Sequence, residues 1–380
     1  MKTAIVYDRV NKWGGAERLL LTLHEIYPKA ELYTSVYSPR NAIWAGNFPK
    51  VITSFLNRFK QLRESHEVLS IFMPIAFESF DFDKYDLVIS VSSEAAKGII
   101  TKPQTKHICV CLTPTRYLYS GFSNYENSPP GKLALVPFYK FLSKPFIKYV
   151  KMWDLVASKR PDIMVAISGE VKSRIKKYYK READVIYPPV DVKKFNYKNY
   201  TNKKSNLFKK HNKSLKKNGY YLLISRLEPY KKVDLAIRAF NKLGYKLVIV
   251  GVGSLEKKLK LIAGDNIIFK GFVKDSDLPG YYRNAKAFIF PQEEDFGLTA
   301  VEAQASGCPV IAFRKGGVLD TVEQNTSGVF FDKQEVDCLV DTVKQFEKMK
   351  FNKTLLLKSA ERFSKDRFKQ QIVDLIRKTV

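Results

Sequence analysis

TAIVYDRVNKWGGAERLLLTLHEIY, residues 3–27, decides the fold. Thr3–Tyr7 is a short apolar run closed by Asp8 and Arg9, and it reads as a buried strand. Gly14 and Gly15 make a turn. After them Leu19, Leu20, Leu23, Ile26 and Tyr27 recur on one helical face. Strand, glycine turn and helix together open a doubly wound α/β unit. Tyr220–Arg226 opens a second one.

Further apolar runs rich in Val, Ile and Tyr follow: DLVISV (86–91), HICVCL (107–112), IMVAIS (163–168), YYLLIS (220–225), KLVIVG (246–251), AFIFP (287–291) and PVIAF (309–313). Apolar strands alternating with helices predict parallel sheets covered on both faces. Two Rossmann-like units are expected, over 1–190 and 220–361, facing each other across a cleft with ligands at the carboxyl ends of the strands. Between them, residues 191–219 hold ten lysines and one acidic residue, which predicts a solvated linker. The closing segment, 362–380, predicts a helix that packs back on the N-terminal unit. Its apolar stripe is Phe363, Phe368, Ile372, Leu375 and Ile376.

The chain has 380 residues and a formal net charge of +27. That excess calls for an anionic partner: nucleic acid, a membrane face or a phosphorylated small molecule. It is not spread evenly. Residues 101–153 hold eight basic residues against one acidic, and with the 191–219 segment, ten against one, they supply 16 of the 27 net charges. A solvated connector fits the latter better than a nucleic-acid arm, so no nucleic-acid partner is expected. The segment 130–157 sets Lys140, Lys144, Lys148 and Lys151 among Phe138, Phe141, Phe146, Tyr149, Met152 and Trp153. It suits either an anionic membrane surface or an ordinary core-packed helix, with Pro137 and Pro145 limiting its continuity. Four scattered cysteines, Cys109 and Cys111 among them, read as core thiols in a reducing compartment. No leader-like or membrane-spanning run is found, so a cytoplasmic location is expected.

The chemistry concentrates in FPQEEDFGLTAVEAQASGCPVIAF, residues 290–313. Glu294 belongs to a loop before a helix, and Glu302 to that helix's second turn. The N–H groups of Phe296, Gly297 and Leu298 at the helix start are disposed to meet hydroxyl or phosphate oxygens. One carboxylate can hold sugar hydroxyls and the other a ribose diol; two glutamates at a helix start can equally be surface residues favoured by the dipole. The Asp81/Asp83 and Asp275/Asp277 pairs do not follow strand ends, and no metal or other cofactor is expected. GVGSLE (251–256) lacks the third glycine of a dinucleotide fingerprint, and no phosphate-binding P-loop sequence occurs.

Together with KWGGAER, SRLEPYKKVDLAI (225–237), VIYPPVDVKKF (185–195), GGVLDTV (316–322) and CLTPTRYLY (111–119), this stretch resembles the signature of family 4 glycosyltransferases. These are retaining enzymes of the GT-B fold. The similarity is greatest to bacterial mannosyltransferases of surface polysaccharides. It implies transfer of a hexose, mannose from GDP-mannose first and a UDP-sugar second, to a glycan or lipid-phosphate-linked acceptor. It also implies that Arg226 and Lys231 meet the donor pyrophosphate, with Gly14 and Gly15 near the same phosphates. Glu294 would meet the sugar, Glu302 the ribose, and the backbone near Val273 the base. The departing phosphate can take the acceptor's proton, so no dedicated base is needed. The sequence departs from the pattern at Lys232, where glycine is usual, at Asp320, where Glu is common, and at Leu112, where His is frequent.

Overall fold

Thr3–Tyr7 forms strand β1, buried along its whole length, and Gly15–Ile26 is the helix that follows it. The computed structural model describes residues 1–59, 70–121, 139–199, 208, 215 and 219–379, the side chains of 139–143 excepted. Residues Met1–Tyr187 with Phe368–Val380 make one unit, and Pro188–Arg367 the other.

The first unit is built on a sheet of β1, β2 (Glu31–Thr34), β3 (Val51–Thr53), β4 (Leu87–Ser92), β5 (Lys106–Cys111), β6 (Ile163–Ala166) and β7 (Asp184–Val185). Its order is β3-β2-β1-β4-β5-β6-β7, paired in parallel. The second unit has β8 (Tyr221–Ile224), β9 (Leu247–Val250), β10 (Ile267–Gly271), β11 (Phe288–Phe290), β12 (Val310–Phe313) and β13 (Gly328–Phe331), in the order β10-β9-β8-β11-β12-β13 and again parallel. In each sheet the strand order reverses at one place, between β1 and β4 and between β8 and β11. Crevices at the carboxyl ends of the strands open there.

All eight apolar runs are strands. The five strands that the runs missed carry less apolar sequence: β2 begins with Glu31, β10 ends in Lys270-Gly271, β13 begins with Gly328, and β3 and β7 are only three and two residues long. Cys109 and Cys111 are buried on β5, as expected of core thiols.

Three readings change. Part of the lysine-rich segment is packed: Val192–Phe195 is a short helix capped by Asp191, and the buried Phe195 ring meets Tyr282 edge-on at 5.9 Å. Composition hid this because two apolar side chains sit among lysines that point to water. The terminal helix begins only at Lys365, and Phe363 before it packs on Phe296, within the second unit. The apolar stripe is therefore divided, with Phe368, Ile372 and Ile376 buried on the helix itself. Finally, the helix Tyr139–Ala157 runs through Pro145 unbroken, while Pro137 lies outside the described residues. Its C-terminal half is fixed by the Lys97–Asp154 ion pair (2.5 Å, both side chains 2% exposed) and by Trp153 bonding Glu78. That anchorage outweighs the one backbone bond a proline removes.

Candidate active site

The reversal in the second sheet gathers the residues singled out from sequence. Past β8 the chain passes Ser225 and exposed Arg226, then a single turn, Pro229–Lys231, before the helix Val233–Leu243. Between turn and helix stands Lys232 with φ +53°, which accounts for the glycine usual there, since a side chain in left-handed backbone is strained. Past β11 come Gln292, Glu293 and Glu294, then Gly297 and the helix Leu298–Ala305.

Lys231 and Glu294 form a direct ion pair across this crevice, and Gln292 Nε2 donates to Glu294 Oε1 at 3.2 Å. Arg226 joins through Tyr230, whose hydroxyl accepts from Nη2 at 2.5 Å and whose ring lies beside both Arg226 and Lys231. The backbone of Glu294 is held from behind. Gly317 N–H donates to its carbonyl at 2.8 Å, and Gly316, at φ +83°, comes so close that a Cβ there would stand 2.4 Å from that oxygen. The conspicuous glycines of GGVLDTV thus set the position of Glu294.

Gly297 turns the chain at φ +92° into the helix, against the ring of Phe290. Phe296 is buried under this turn. Glu302 does not meet Glu294; it is buried in the helix, and its Oε2 accepts from the Tyr282 hydroxyl at 3.0 Å. A surface role for Glu302, one of the alternatives left by the sequence, is thereby removed. Val273 lies in the loop after β10, the edge strand, two strands from β8. Gly14 and Gly15 start the first helix of the other unit, with the buried carboxylate of Glu17 packed against Gly14 and accepting from Tyr7 OH at 2.8 Å.

Sequence reading missed Gln292, Tyr230 and Tyr282. Only Gln292 had a signal, a polar residue just past a buried strand and two positions before Glu294. Among the described residues no three His, Cys, Asp or Glu stand together as metal ligands would. Asp81 caps the backbone of Asp83, Asp275 pairs with Lys194, and Asp277 precedes its helix without a side-chain cap. His107 is buried, bonded through Nε2 to Ser90 at 2.8 Å, with its basicity pushed down to about 3 by burial and by Arg181 and Arg160.

Residues 203–370 match the model of the family described as glycosyl transferases group 1. That span falls almost wholly within the second unit and contains Arg226, Lys231, Glu294 and Glu302. A GDP-mannose-dependent alpha-(1-6)-phosphatidylinositol monomannoside mannosyltransferase of Mycobacterium tuberculosis is 28% identical over 200 residues, 48% of this chain and 51% of that protein. Mannosylfructose-phosphate synthase of Agrobacterium fabrum is 32% identical over 123 residues, 31% and 26% of the two chains. The chain thus spans about half, or less, of the length of these curated relatives. A crystal structure of Anabaena HepE in complex with UDP superimposes over 100% of both chains with a TM-score of 0.70 at 16% identity. With the two parallel sheets, that likeness gives the chain the GT-B fold.

Proposed function

We propose that the chain is a retaining, metal-independent hexosyltransferase. It takes mannose from GDP-mannose and transfers it to a glycan or lipid-phosphate-linked acceptor in surface-polysaccharide synthesis. The observation that carries this reading is the Lys231–Glu294 pair at the β8/β11 reversal, with Arg226 beside it. A diphosphate offers Lys231 a doubly charged partner in place of one carboxylate. Released from the lysine, Glu294 can accept from sugar hydroxyls, while Arg226 and Lys231 neutralise the leaving group. The N–H groups of Phe296, Gly297 and Leu298 serve further donor oxygens. Glu302 takes the ribose diol and the backbone near Val273 the base. The bond from C1 to the diphosphate oxygen breaks, the acceptor oxygen bonds C1 from the same face, and its proton passes to the departing phosphate.

Mannose is supported by the mycobacterial relative, a GDP-mannose-dependent mannosyltransferase. A UDP-sugar is the second reading, supported by the structural neighbour solved with UDP. Thermal-shift measurements with GDP, UDP and ADP separate them: stabilisation by UDP and not by GDP rejects the mannose reading. Arg226→Ala should lower transfer about 100-fold or more; full turnover by that variant would sink the assignment.

A membrane-borne acceptor is supported by the helix Tyr139–Ala157. Tyr149, Met152 and Val156 are exposed in one stripe beside a row of exposed Lys144, Lys148 and Lys151, away from buried Val150, Asp154 and Ala157. Apolar side chains flanked by lysines suit an anionic bilayer surface. Salt-sensitive sedimentation with phosphatidylglycerol vesicles, and none with oligonucleotides, is the expected outcome.

A further inference from the structure

Gln292 stands where the chain leaves β11, between Pro291 and the glutamates, and it is only 2% exposed. The backbone on both sides of it is pinned: Gln334 Nε2 donates to the Pro291 carbonyl at 2.8 Å, and Gly317 N–H to the Glu294 carbonyl at 2.8 Å. Its amide Nε2 donates to Glu294 Oε1, the same oxygen that takes the Lys231 ammonium. Its own Oε1 is buried and, among the described residues, has no hydrogen-bond partner.

A buried amide satisfied on one side only is unfavourable, and an apolar side chain of the same size would avoid the penalty. The amide cannot turn over to relieve it, because its oxygen would then face a carboxylate oxygen, acceptor against acceptor. The chain thus keeps a half-satisfied residue for one donated bond, and that bond ends on Glu294. A neutral donor suits the place. Lysine or arginine there would bring a second cation to the carboxylate and compete with Lys231, whereas an amide orients the carboxylate and leaves the local charge unchanged.

We propose that Gln292 is the positioning residue for Glu294, holding its carboxylate in the sugar-facing orientation after Lys231 turns to the donor diphosphate. The assignment rests on the transferase reading and deepens it at the same site. In the free protein the Lys231 ammonium and the Gln292 amide hold the carboxylate together. Once the diphosphate draws the lysine away, the amide's bond persists, because it involves no cation for which the diphosphate competes. A carboxylate held this way meets sugar hydroxyls in one orientation, and a small misplacement of such a group lowers the rate by a large factor. Gln292 therefore acts on turnover more than on nucleotide affinity.

The test is steady-state release of nucleoside diphosphate from GDP-mannose and UDP-glucose by the full chain, a readout that needs no identified acceptor, together with GDP and UDP binding by isothermal titration and with urea unfolding. Gln292→Met keeps the volume and removes both amide groups. Its unfolding midpoint equals or exceeds the wild type's, its nucleotide affinity stays within about twofold, and its kcat falls about tenfold or more. Gln292→Glu keeps size and shape and sets a second carboxylate against Glu294. The two share a proton that the neighbouring negative charge binds more tightly, so the donated bond returns as the pair protonates. Relative to the wild type, its turnover recovers as pH falls from about 8 to about 6, a dependence that a side chain merely filling space does not give. Unchanged kcat in Gln292→Met, equal losses of kcat and nucleotide affinity, or parallel pH profiles for Gln292→Glu and the wild type overturn the assignment and leave the transferase reading standing. Cleavage of neither donor by the wild type removes that reading and the assignment with it.

Discussion

Tyr282 donates its hydroxyl to Glu302 Oε2 at 3.0 Å, and both side chains are buried. The tyrosine ring is itself fixed edge-on against Phe195 and Phe288, at 5.9 and 5.4 Å between centroids. Tyr282→Phe keeps that packing and deletes one hydrogen bond to the carboxylate. A bond of this type contributes about 1.5–3 kcal/mol. Nucleoside-diphosphate affinity should fall by about ten- to a hundredfold and the melting temperature should drop by several degrees, as isothermal titration and a thermal melt will read. Unchanged affinity would remove Glu302 from the nucleotide site.

Gly316 tests the support of Glu294. A methyl group there would meet the Glu294 carbonyl at 2.4 Å, on backbone already at φ +83°. Gly316→Ala should destabilise the second unit by about 1–3 kcal/mol. Because the shifted backbone is that of Glu294, turnover should fall more than nucleotide binding does. Equal losses in kcat and in donor affinity would argue against a positioning role.

Lys232 gives the opposite sign. Its left-handed conformation, φ +53°, costs about 1–2 kcal/mol that glycine escapes, against about 0.5–1 kcal/mol of extra chain entropy in the unfolded state. Lys232→Gly should therefore leave the protein equally stable or up to about 1.5 kcal/mol more stable. A chemical denaturation midpoint below the wild type's would contradict this.

His107 sets an acid limit. Its folded-state value is pushed down to about 3 while the unfolded chain binds a proton near 6.5, so the unfolded state takes up protons first as pH falls. The stability it contributes is present above about pH 6.5 and is lost progressively between there and about pH 3, by about 1.4 kcal/mol per pH unit. Between pH 7 and pH 5 the wild type should lose about 2 kcal/mol more than His107→Gln, measured by urea unfolding at each pH. Parallel pH profiles for the two proteins would exclude the histidine as the cause.

Local chemistry wrote much of this protein into its sequence. Eight buried parallel strands are legible because a strand covered on both faces must be apolar at every position. The glycine turns are legible because left-handed or closely approached backbone admits little else, and Glu294 and Glu302 announce themselves by their places around a helix start. What depends on residues far apart in the chain is not written locally. Lys231 meets Glu294 across 63 positions and Arg9 meets Glu94 across 85, because the crossovers bring the ends of non-consecutive strands side by side. Tyr230 and Tyr282 look like any aromatic residue until the fold sets them between two cations or under a carboxylate. The composition of 191–219 pointed to solvent throughout, yet Val192 and Phe195 found a core to enter. Periodicity and backbone sterics act over a few residues and can be read in order along the chain. Which charge neutralises which, and which side chain stays exposed, is decided only when the sheets assemble.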